Sequence, residues 1–110
     1  MKVAIIGSRN LWVNDLENYV PKDVTEIISG GAKGVDSCAR AYARKNGLKL
    51  TEFFPDYKKY GRPAPLKRNI DIIKSADLVL AFWDGKSRGT KFSIDKCKEF
   101  NIPVKVLTPQ

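Results

Sequence analysis

Runs of mainly apolar residues alternate along the chain with segments in which apolar residues recur every three or four positions. The first kind of segment predicts strands of a buried parallel sheet, and the second predicts helices with one apolar side. The predicted strands cover residues 3–6, 24–29, 48–54, 78–83 and 102–107. The predicted helices cover residues 13–20 and 34–46, a segment around Leu66, Ile70 and Ile73, and residues 89–100. Residues 55–65 contain three prolines and predict a loop.

The alternation of strands and helices predicts the fold class. We expect an α/β chain that forms a single Rossmann-like, three-layer domain over residues 1–110, with a parallel sheet of about five strands and helices on both faces. Sheets of this kind bind ligands outside the carboxyl ends of their strands, where the strand order changes direction. The strand ends expected at that edge are Gly7-Ser8-Arg9, Gly30-Gly31, Pro55-Asp56 and Asp84-Gly85.

The turn after the second predicted strand combines glycines with the start of a helix. Glycines permit a positive φ and a close approach of the backbone to a ligand, and the helix that follows presents free N–H groups to an anion. The same turn could be purely structural, and Asp36 could either stabilise the helix dipole or hold a ribose hydroxyl. The candidate binding residues of this first turn are Gly30, Gly31, Ala32, Lys33, Gly34 and Asp36.

A second strand–turn–helix junction follows residues 78–83, so the chain contains two candidate phosphate-binding turns. Ser87 and Thr90 are good helix caps whose hydroxyl groups also suit a phosphate. Trp83 could stack on a base or only pack in the core, and Arg9, directly after the first strand, could hold a phosphate or a carboxylate. The other candidate binding residues are Gly7, Ser8, Arg68, Asn69, Asp84, Arg88 and Gly89.

Composition narrows the possible chemistry. The chain has no histidine, which excludes Ser-His-Asp and Cys-His catalysis, and Cys38 and Cys97 lack C-x-x-C spacing, so we expect two buried thiols and no metal site. The net charge of +8 favours an anionic partner, although the basic residues form no block of five or six. No segment approaches the roughly 18 apolar residues of a membrane span, and we expect a cytoplasmic protein without a membrane partner.

Taken together, these motifs resemble those of the SLOG superfamily, a Rossmann-like group that includes the DNA-processing protein A family and the Lonely guy phosphoribohydrolases. The resemblance is strongest to a compact branch of that superfamily and covers essentially the whole chain. It rests on residues 7–9, residues 30–36, Arg68-Asn69, Ser75-Ala76-Asp77 and Gly89-Thr90. The resemblance implies binding of nucleotides or of ligands derived from NAD and ADP-ribose, and it implies a homo-oligomer.

The enzymes of the superfamily differ from this chain at their catalytic positions. Their pattern is an Arg-Lys pair followed by Pro-Gly-Gly-x-Gly-Thr-x-x-Glu. In this chain Asn69 replaces the lysine, Gly85-Lys86 replaces the double glycine, and Ser93 stands where the glutamate belongs. Cleavage of a glycosidic bond passes through a cationic sugar that a carboxylate stabilises, and Ser93 cannot supply one. The carboxylates that could act from another position are Asp36, Asp84 and Asp95.

We therefore expect a binding protein without catalytic residues, cofactor or metal. Its ligand would be a nucleotide such as ADP-ribose, a cyclic ADP-ribose isomer or NAD, held at the carboxyl edge of the sheet and not turned over. Such a domain could sense or sequester a nucleotide signal, for example between phage and host. The second hypothesis is a nucleotide N-glycosidase resembling the phosphoribohydrolases. The third is a single-stranded nucleic-acid-binding module, ranked last because no basic stripe is evident along the sequence.

Overall fold

The structure of the chain, a computed structural model, describes residues 1–108. Within these residues the strands are β1 (Lys2–Gly7), β2 (Glu26–Ser29), β3 (Lys49–Glu52), β4 (Leu78–Phe82) and β5 (Val104–Leu107). The α-helices are α1 (Val35–Lys45), α2 (Tyr57–Tyr60), α3 (Ala64–Lys74) and α4 (Arg88–Glu99), and a 3-10 helix spans Leu16–Asn18. Each predicted strand is present, with bounds that differ from the prediction by at most about two residues at either end.

The strands within residues 1–108 all pair in parallel, in the order β3-β2-β1-β4-β5. The chain moves outward from β1 to β3, crosses back over the sheet, and continues through β4 and β5 on the other side of β1. The strand order therefore reverses between β1 and β4, which is where open α/β sheets bind their ligands. The predicted fold class, a single Rossmann-like α/β domain with a parallel sheet, is confirmed.

Alternating residues of the central strand β1 face two separate cores. Val3 and Ile5 belong to a core beneath α1 and the 3-10 helix, whereas Ala4 and Ile6 belong to a core beneath α3 and α4. A strand that is buried on both faces must be apolar at nearly every position, because its side chains alternate between the faces. Burying one Val or Ile side chain stabilises the fold by about 1.5–3 kcal/mol. The sheet is thus the middle of the three predicted layers.

Helix α1 uses its predicted apolar stripe as expected. The residues of that stripe pack against the sheet, most of them fully buried and one at the margin of the core: Val35, Cys38, Ala39, Ala43 and, at the margin, Tyr42. The helix stops just before Gly47, whose φ of +64° suits a glycine at a helix end. Helix α1 therefore begins at the carboxyl edge of the sheet and carries its first turn to that edge.

The prediction of a helix over residues 13–20 is wrong, because only one 3-10 turn, Leu16–Asn18, forms there. Its apolar residues are nevertheless buried: Val13, Leu16 and Val20. The N–H of Val13 donates a hydrogen bond to the sulfur of Cys38 at 3.3 Å, and the side-chain amide of Asn18 donates to Asp15 at 3.2 Å. Contacts with α1 and local side-chain hydrogen bonds thus replace the bonds of a regular helix.

The loop predicted over residues 55–65 contains regular structure. Helix α2 forms one turn within it, because the Asp56 carboxylate accepts a hydrogen bond from the N–H of Lys59 at 3.1 Å. Gly61 ends this turn with a φ of +65°. Pro65 lies inside the first turn of α3, where a proline is tolerated because the N–H it lacks would have no helical partner.

The apolar stripe predicted in α3 is only partly correct. Ile73 is buried in the core beneath the helix together with Ile72, but Leu66 is exposed and Ile70 is half-buried. Leu66 lies in the first turn of α3, where it lines a cavity at the carboxyl edge of the sheet instead of the core. The spacing of apolar residues therefore indicates the helix correctly but misjudges which of them point inward.

Both cysteines are buried thiols, as predicted. Burial raises the pKa of the Cys97 thiol to about 11, so this group is uncharged and unreactive at neutral pH. Among residues 1–108, no helix combines the length and the apolar character that a membrane crossing requires.

Candidate functional site

A cavity of about 170 Å³ opens at the carboxyl edge of the sheet, beside the point where the strand order reverses. The end of β1 and the turn after β2 contribute residues to it, and so do the first turns of α1, α3 and α4. This is the position at which an open parallel sheet is expected to hold a ligand, because the loops of neighbouring strands separate there in opposite directions.

The structure brings ten of the predicted binding residues together around this cavity. They come from four separate segments of the chain, and they are Gly7, Arg9, Gly30, Ala32, Asp36, Arg68, Asn69, Ser87, Gly89 and Thr90. Seven others lie close to them along the chain but do not line the cavity: Ser8, Gly31, Lys33, Gly34, Trp83, Asp84 and Arg88.

Arg68 is a strongly constrained cation of the cavity. Its Nη1 donates to the carbonyl oxygens of Gly30 at 2.9 Å and Phe53 at 3.2 Å, and its Nε donates to Oδ1 of Asn69 at 2.8 Å. These bonds hold the guanidinium across the ends of β2 and β3. Burial lowers the pKa of Arg68, and the negative charge of Asp36 opposes that shift. The side chain remains a cation at neutral pH.

Asp36 supplies a carboxylate to the cavity, close to Arg68. Its Oδ2 accepts a hydrogen bond from the N–H of Ala32 at 3.1 Å, and burial raises the pKa of Asp36 although this hydrogen bond and the charge of Arg68 act against the rise. Gly30 lies between the two charged groups. A β-carbon on Gly30 would lie 2.9 Å from Nη1 of Arg68 and 3.0 Å from Oδ2 of Asp36, so any side chain there would disturb both.

The first turn of α4 presents polar groups to the cavity. Ser87 is its N-cap, and its Oγ accepts a long hydrogen bond of 3.5 Å from the N–H of Thr90. No neighbouring group lies within 4 Å of the position that a β-carbon on Gly89 would occupy, so the turn is open at that point. Helix α4 has no acidic residue in its first turn, and the carboxylate just before it, Asp84, accepts a hydrogen bond from the N–H of the N-cap Ser87.

Two predicted binding residues of the second turn are engaged by the protein itself. Oδ1 of Asp84 accepts hydrogen bonds from the N–H groups of Ser87 at 2.7 Å and Lys86 at 2.8 Å, and these bonds lower the pKa of Asp84. The indole N–H of Trp83 donates to the carbonyl of Ser87 at 3.0 Å, and the ring packs against the core beneath α3 and α4. Both residues shape the turn from behind the cavity.

Gly7 and Ser8 join the two strands at the switch point. The N–H of Ser8 donates to the carbonyl of Phe82 at 3.1 Å, and its Oγ accepts from the N–H of Asp84 at 3.3 Å. A β-carbon on Gly7 would lie 2.6 Å from both the carbonyl oxygen of Phe82 and Cγ2 of Val35. A glycine is required here because the first residue of α1 packs directly on the end of β1.

The remaining predicted residues lie in the two turns but do not line the cavity. Gly31 has a φ of +70° and lies against the ring of Phe54, and Gly34 has a φ of +68° and lies against the backbone of Arg9. The side chains of the other two are exposed: Lys33 and Arg88.

Five residues of the cavity wall are missing from the predicted binding set: Ile6, Pro65, Leu66, Ile72 and Ser93. Four of them are apolar and carry no chemical signal in the sequence. Ser93 stands out in the sequence only as the position of a glutamate in related enzymes. Apart from Ile6 of β1, these residues belong to α3 and α4, and their place in the wall depends on how those helices pack, which spacing along the chain does not reveal.

The arrangement suits an anionic ligand. The cavity is bordered by two arginines, Arg9 and Arg68, and by the positive end of α4. Among residues 1–108, Asp36 is the single carboxylate in its lining. Guanidinium groups and helix N-termini are the usual protein partners of phosphate groups. Within the described part of the chain no three His, Cys, Asp or Glu side chains cluster as metal ligands would.

Comparison with known proteins agrees with this geometry. Residues 1–60 match the family model described as "YAcAr: YspA, cpYpsA-related SLOG family". The chain is also similar to the Gene 61 protein of Mycobacterium phage D29, with 33% identity over 84 residues that cover 71% of this chain and 67% of the phage protein. No solved structure matches the chain significantly. The resemblance inferred from the motifs is confirmed, and the chain belongs to the YspA- and cpYpsA-related family of the SLOG superfamily.

Proposed function

We propose that this protein binds a nucleotide, or a ligand derived from NAD or ADP-ribose, through a phosphate group in the cavity, and that it does not turn the ligand over. The observation that carries the proposal is the convergence of Arg9, Arg68 and the first turn of α4 on one cavity. Membership of the SLOG superfamily supports a nucleotide-related ligand.

Arg68 is prepared for such a ligand by its existing hydrogen bonds. Its Nη1 and Nε are held by backbone carbonyls and by Asn69, whereas its Nη2 has no protein partner within residues 1–108. A guanidinium that is already held in place loses little side-chain entropy when it donates to a phosphate. The positive charge of Arg9 is near enough to contribute to the lowered pKa of Arg68, and a phosphate between the two would relieve their repulsion.

The size of the cavity indicates which part of the ligand it takes. Its volume of about 170 Å³ is smaller than the roughly 300–1,000 Å³ of complete small-molecule sites. We therefore assign to it a phosphate and part of the adjoining ribose, with a ribose hydroxyl donating to Asp36. The base then extends past the rim of the cavity at Leu66, which is exposed.

The absence of turnover is proposed from the positions of the carboxylates. Ser93 replaces the superfamily glutamate, and it is buried with its hydroxyl donating to a carbonyl of the same helix at 3.3 Å. Asp95 is exposed and paired with Lys91 at 2.9 Å, and Asp84 accepts two backbone hydrogen bonds in its own turn. An N-glycosidase would therefore depend on Asp36, the one of these carboxylates that lines the cavity.

A protein of this kind would sense or sequester a nucleotide signal. Similarity to a phage protein supports a role in signalling between phage and host. The expected homo-oligomer stays a prediction, which light scattering tests directly. A mass that is a multiple of the 12.3 kDa of one chain would support it, and a monomer would contradict it.

A thermal-shift panel at fixed salt tests the proposed ligand class. It compares AMP, ADP-ribose, NAD, cyclic ADP-ribose isomers and inorganic pyrophosphate. A ligand present at about 100 times its dissociation constant stabilises the folded state by about 2.7 kcal/mol. For a domain of this size we expect the melting temperature to rise by roughly 10 °C or more. Chromatography after incubation should recover the ligand unchanged.

Two arginine variants make this test specific for the cavity. Arg9→Ala removes an exposed cation that lines the cavity, and Arg44→Ala removes an exposed cation from the last turn of α1, at the other end of that helix. We expect the thermal shift to be lost in Arg9→Ala and kept in Arg44→Ala. If the ligand is cleaved and Asp36→Asn abolishes the cleavage, the protein is an N-glycosidase and not a binding protein. If no ligand raises the melting temperature and none is cleaved, both functions are rejected.

A further inference from the structure

The crossover between β3 and α3 concentrates positive charge, and the proposed nucleotide site uses only one of its cations. Residues 53–68 make up 16 of the 110 residues, and their five basic residues and one acidic residue contribute +4 of the net charge of +8. One of the five, Arg68, lines the cavity. The other four have exposed side chains: Lys58, Lys59, Arg62 and Lys67.

These four cations are not neutralised by carboxylates of the described chain. The ion pairs found among residues 1–108 involve other residues. The acidic residue of the crossover, Asp56, accepts a hydrogen bond from the N–H of Lys59 and serves as the cap of α2. Like charges that lie close together repel each other and attract a polyanion, so the cluster favours such a partner.

Aromatic rings are interleaved with these cations. Phe54 is 64% exposed and Tyr57 is 59% exposed, so both leave most of their apolar surface in water. Tyr60 is less accessible, at 38% exposed, and Nζ of Lys59 lies over its ring at 5.2 Å from the centroid. Exposed rings of this size are unfavourable in an isolated protein but serve as stacking surfaces for bases.

Hydrogen bonds constrain the crossover within α2 and at Phe53. The cap at Asp56 begins α2, and the N–H of Gly61 donates to the carbonyl of Tyr57 at 2.8 Å at its end. Before α2, the carbonyl of Phe53 accepts from Nη1 of Arg68 at 3.2 Å. The rings and cations are therefore presented by an ordered segment, which reduces the entropy lost when a partner binds.

We propose that residues 53–62 and Lys67, which belong to the crossover but do not line the cavity, form a binding surface for single-stranded nucleic acid. Bases stack on Phe54 and Tyr57, and the phosphate groups follow the exposed cations of the crossover. Rings interleaved with cations match the two features of a single strand, which are unpaired base faces and one negative charge per nucleotide. A duplex hides its base faces inside the stack and would leave the rings unused.

Fluorescence anisotropy with labelled oligonucleotides of about 12 residues, one of deoxythymidine and one of uridine, tests this surface. Phe54→Ala and Tyr57→Ala should each weaken binding about fivefold or more at fixed salt. The double variant Lys58→Ala/Lys59→Ala should reduce the slope of log affinity against log salt by about 1.4. The two oligonucleotides show whether the surface distinguishes DNA from RNA.

Matched controls come from outside the crossover. Trp12→Ala removes a ring that is 63% exposed, and Lys98→Ala removes an exposed lysine in the last turn of α4. Both should bind the oligonucleotides like the unsubstituted protein. Equal weakening by the controls, unchanged affinity in both ring variants, or equal affinity for a duplex would overturn the proposal. Unchanged affinity in both ring variants would instead indicate an unspecific attraction to polyanions.

A competition experiment separates this surface from the nucleotide site. Gly89→Ala narrows the cavity without touching the crossover, so it should leave oligonucleotide affinity unchanged, and AMP should not displace the oligonucleotide. Displacement by AMP together with loss of affinity in Gly89→Ala would show that the strand enters the cavity. That result would overturn the surface on the crossover while leaving the proposed nucleotide site intact.

Discussion

The two strand–turn–helix junctions look alike in sequence, but the structure treats them differently. After β2, the chain fills the turn with its own atoms: Gly31 lies against the ring of Phe54, and the N–H of Ala32 donates to Asp36. After β4, Asp84 also accepts hydrogen bonds within its own turn, but the turn is open beside Gly89, where no neighbouring group lies within 4 Å of an added β-carbon. The first turn brings a carboxylate to the cavity, and the second brings the positive end of a helix. Glycines before a helix therefore do not by themselves show that a cradle is free for a ligand.

The largest effect should come from filling the closed turn further. In Gly34→Ala the new β-carbon would lie 2.3 Å from the carbonyl oxygen of Arg9, at a φ of +68° that other residues rarely adopt. Backbone strain and overpacking together should lower the free energy of unfolding by roughly 2–4 kcal/mol. Urea denaturation measures this loss.

The control for this prediction is Gly85→Ala in the open turn. Gly85 has a φ of +82°, but nothing lies within 4 Å of its added β-carbon, so only the backbone strain of about 1–2 kcal/mol applies. Equal losses in the two variants would mean that the first turn is no more crowded than the second.

A smaller change in stability, with a clear effect on binding, is expected for Gly89→Ala in the open turn. Alanine replaces glycine inside a helix, so the free energy of unfolding should rise by about 0.5–1 kcal/mol. Because Gly89 lines the cavity and has open space beside it, we expect the added methyl group to occupy part of the cavity and the thermal shift with AMP or pyrophosphate to fall.

Gly47→Ala provides the comparison, because it adds a methyl group in open space at the far end of α1. It should keep the thermal shift despite the strain at its positive φ. A Gly89→Ala protein that binds as well as the unsubstituted one would remove the open turn from the site.

The smallest effect should be a difference in pH dependence between the two turns. The pKa of Asp36 is raised by burial, so its contribution to stability is present below the unfolded value near 3.8 and is lost as the pH rises through its folded pKa. The pKa of Asp84 is lowered by backbone hydrogen bonds, so its contribution is present above that value and is lost as the pH falls through its folded pKa.

Unfolding free energies measured from about pH 2 to about pH 7 would show this difference. Asp36→Asn should remove part of the decline in unfolding free energy at pH values above the unfolded pKa. Asp84→Asn should remove part of the decline in unfolding free energy at pH values below it. NMR titration of the two carboxyl carbons provides an independent reading. If the pKa values of Asp36 and Asp84 were shifted in the same direction, the contrast between the two turns would be contradicted.

The fold was largely predictable because burial on both faces leaves a periodic trace in the sequence. Alternating strands and helices, five strands and convergence at the carboxyl edge all follow from that trace. The helix over residues 13–20 failed because side-chain hydrogen bonds and contacts with α1 outweighed its apolar spacing. The spacing that groups Leu66 with Ile70 and Ile73 does not reveal that Leu66 lines the cavity at the sheet edge instead of the core.

The candidate site was predictable in its location but not in its working parts. Sequence by itself determined which strand ends meet at the carboxyl edge, because parallel strands bring all their ends to the same edge. Only the tertiary structure decided that the carbonyls of Gly30 and Phe53 hold Arg68. It also decided that Asp84 and Trp83 form hydrogen bonds within their own turn. Likewise, it decided that four basic residues of the crossover form no ion pair within residues 1–108. The physical reason is that these outcomes depend on contacts between residues far apart in the chain, whereas hydrophobic periodicity records only how each segment meets the core.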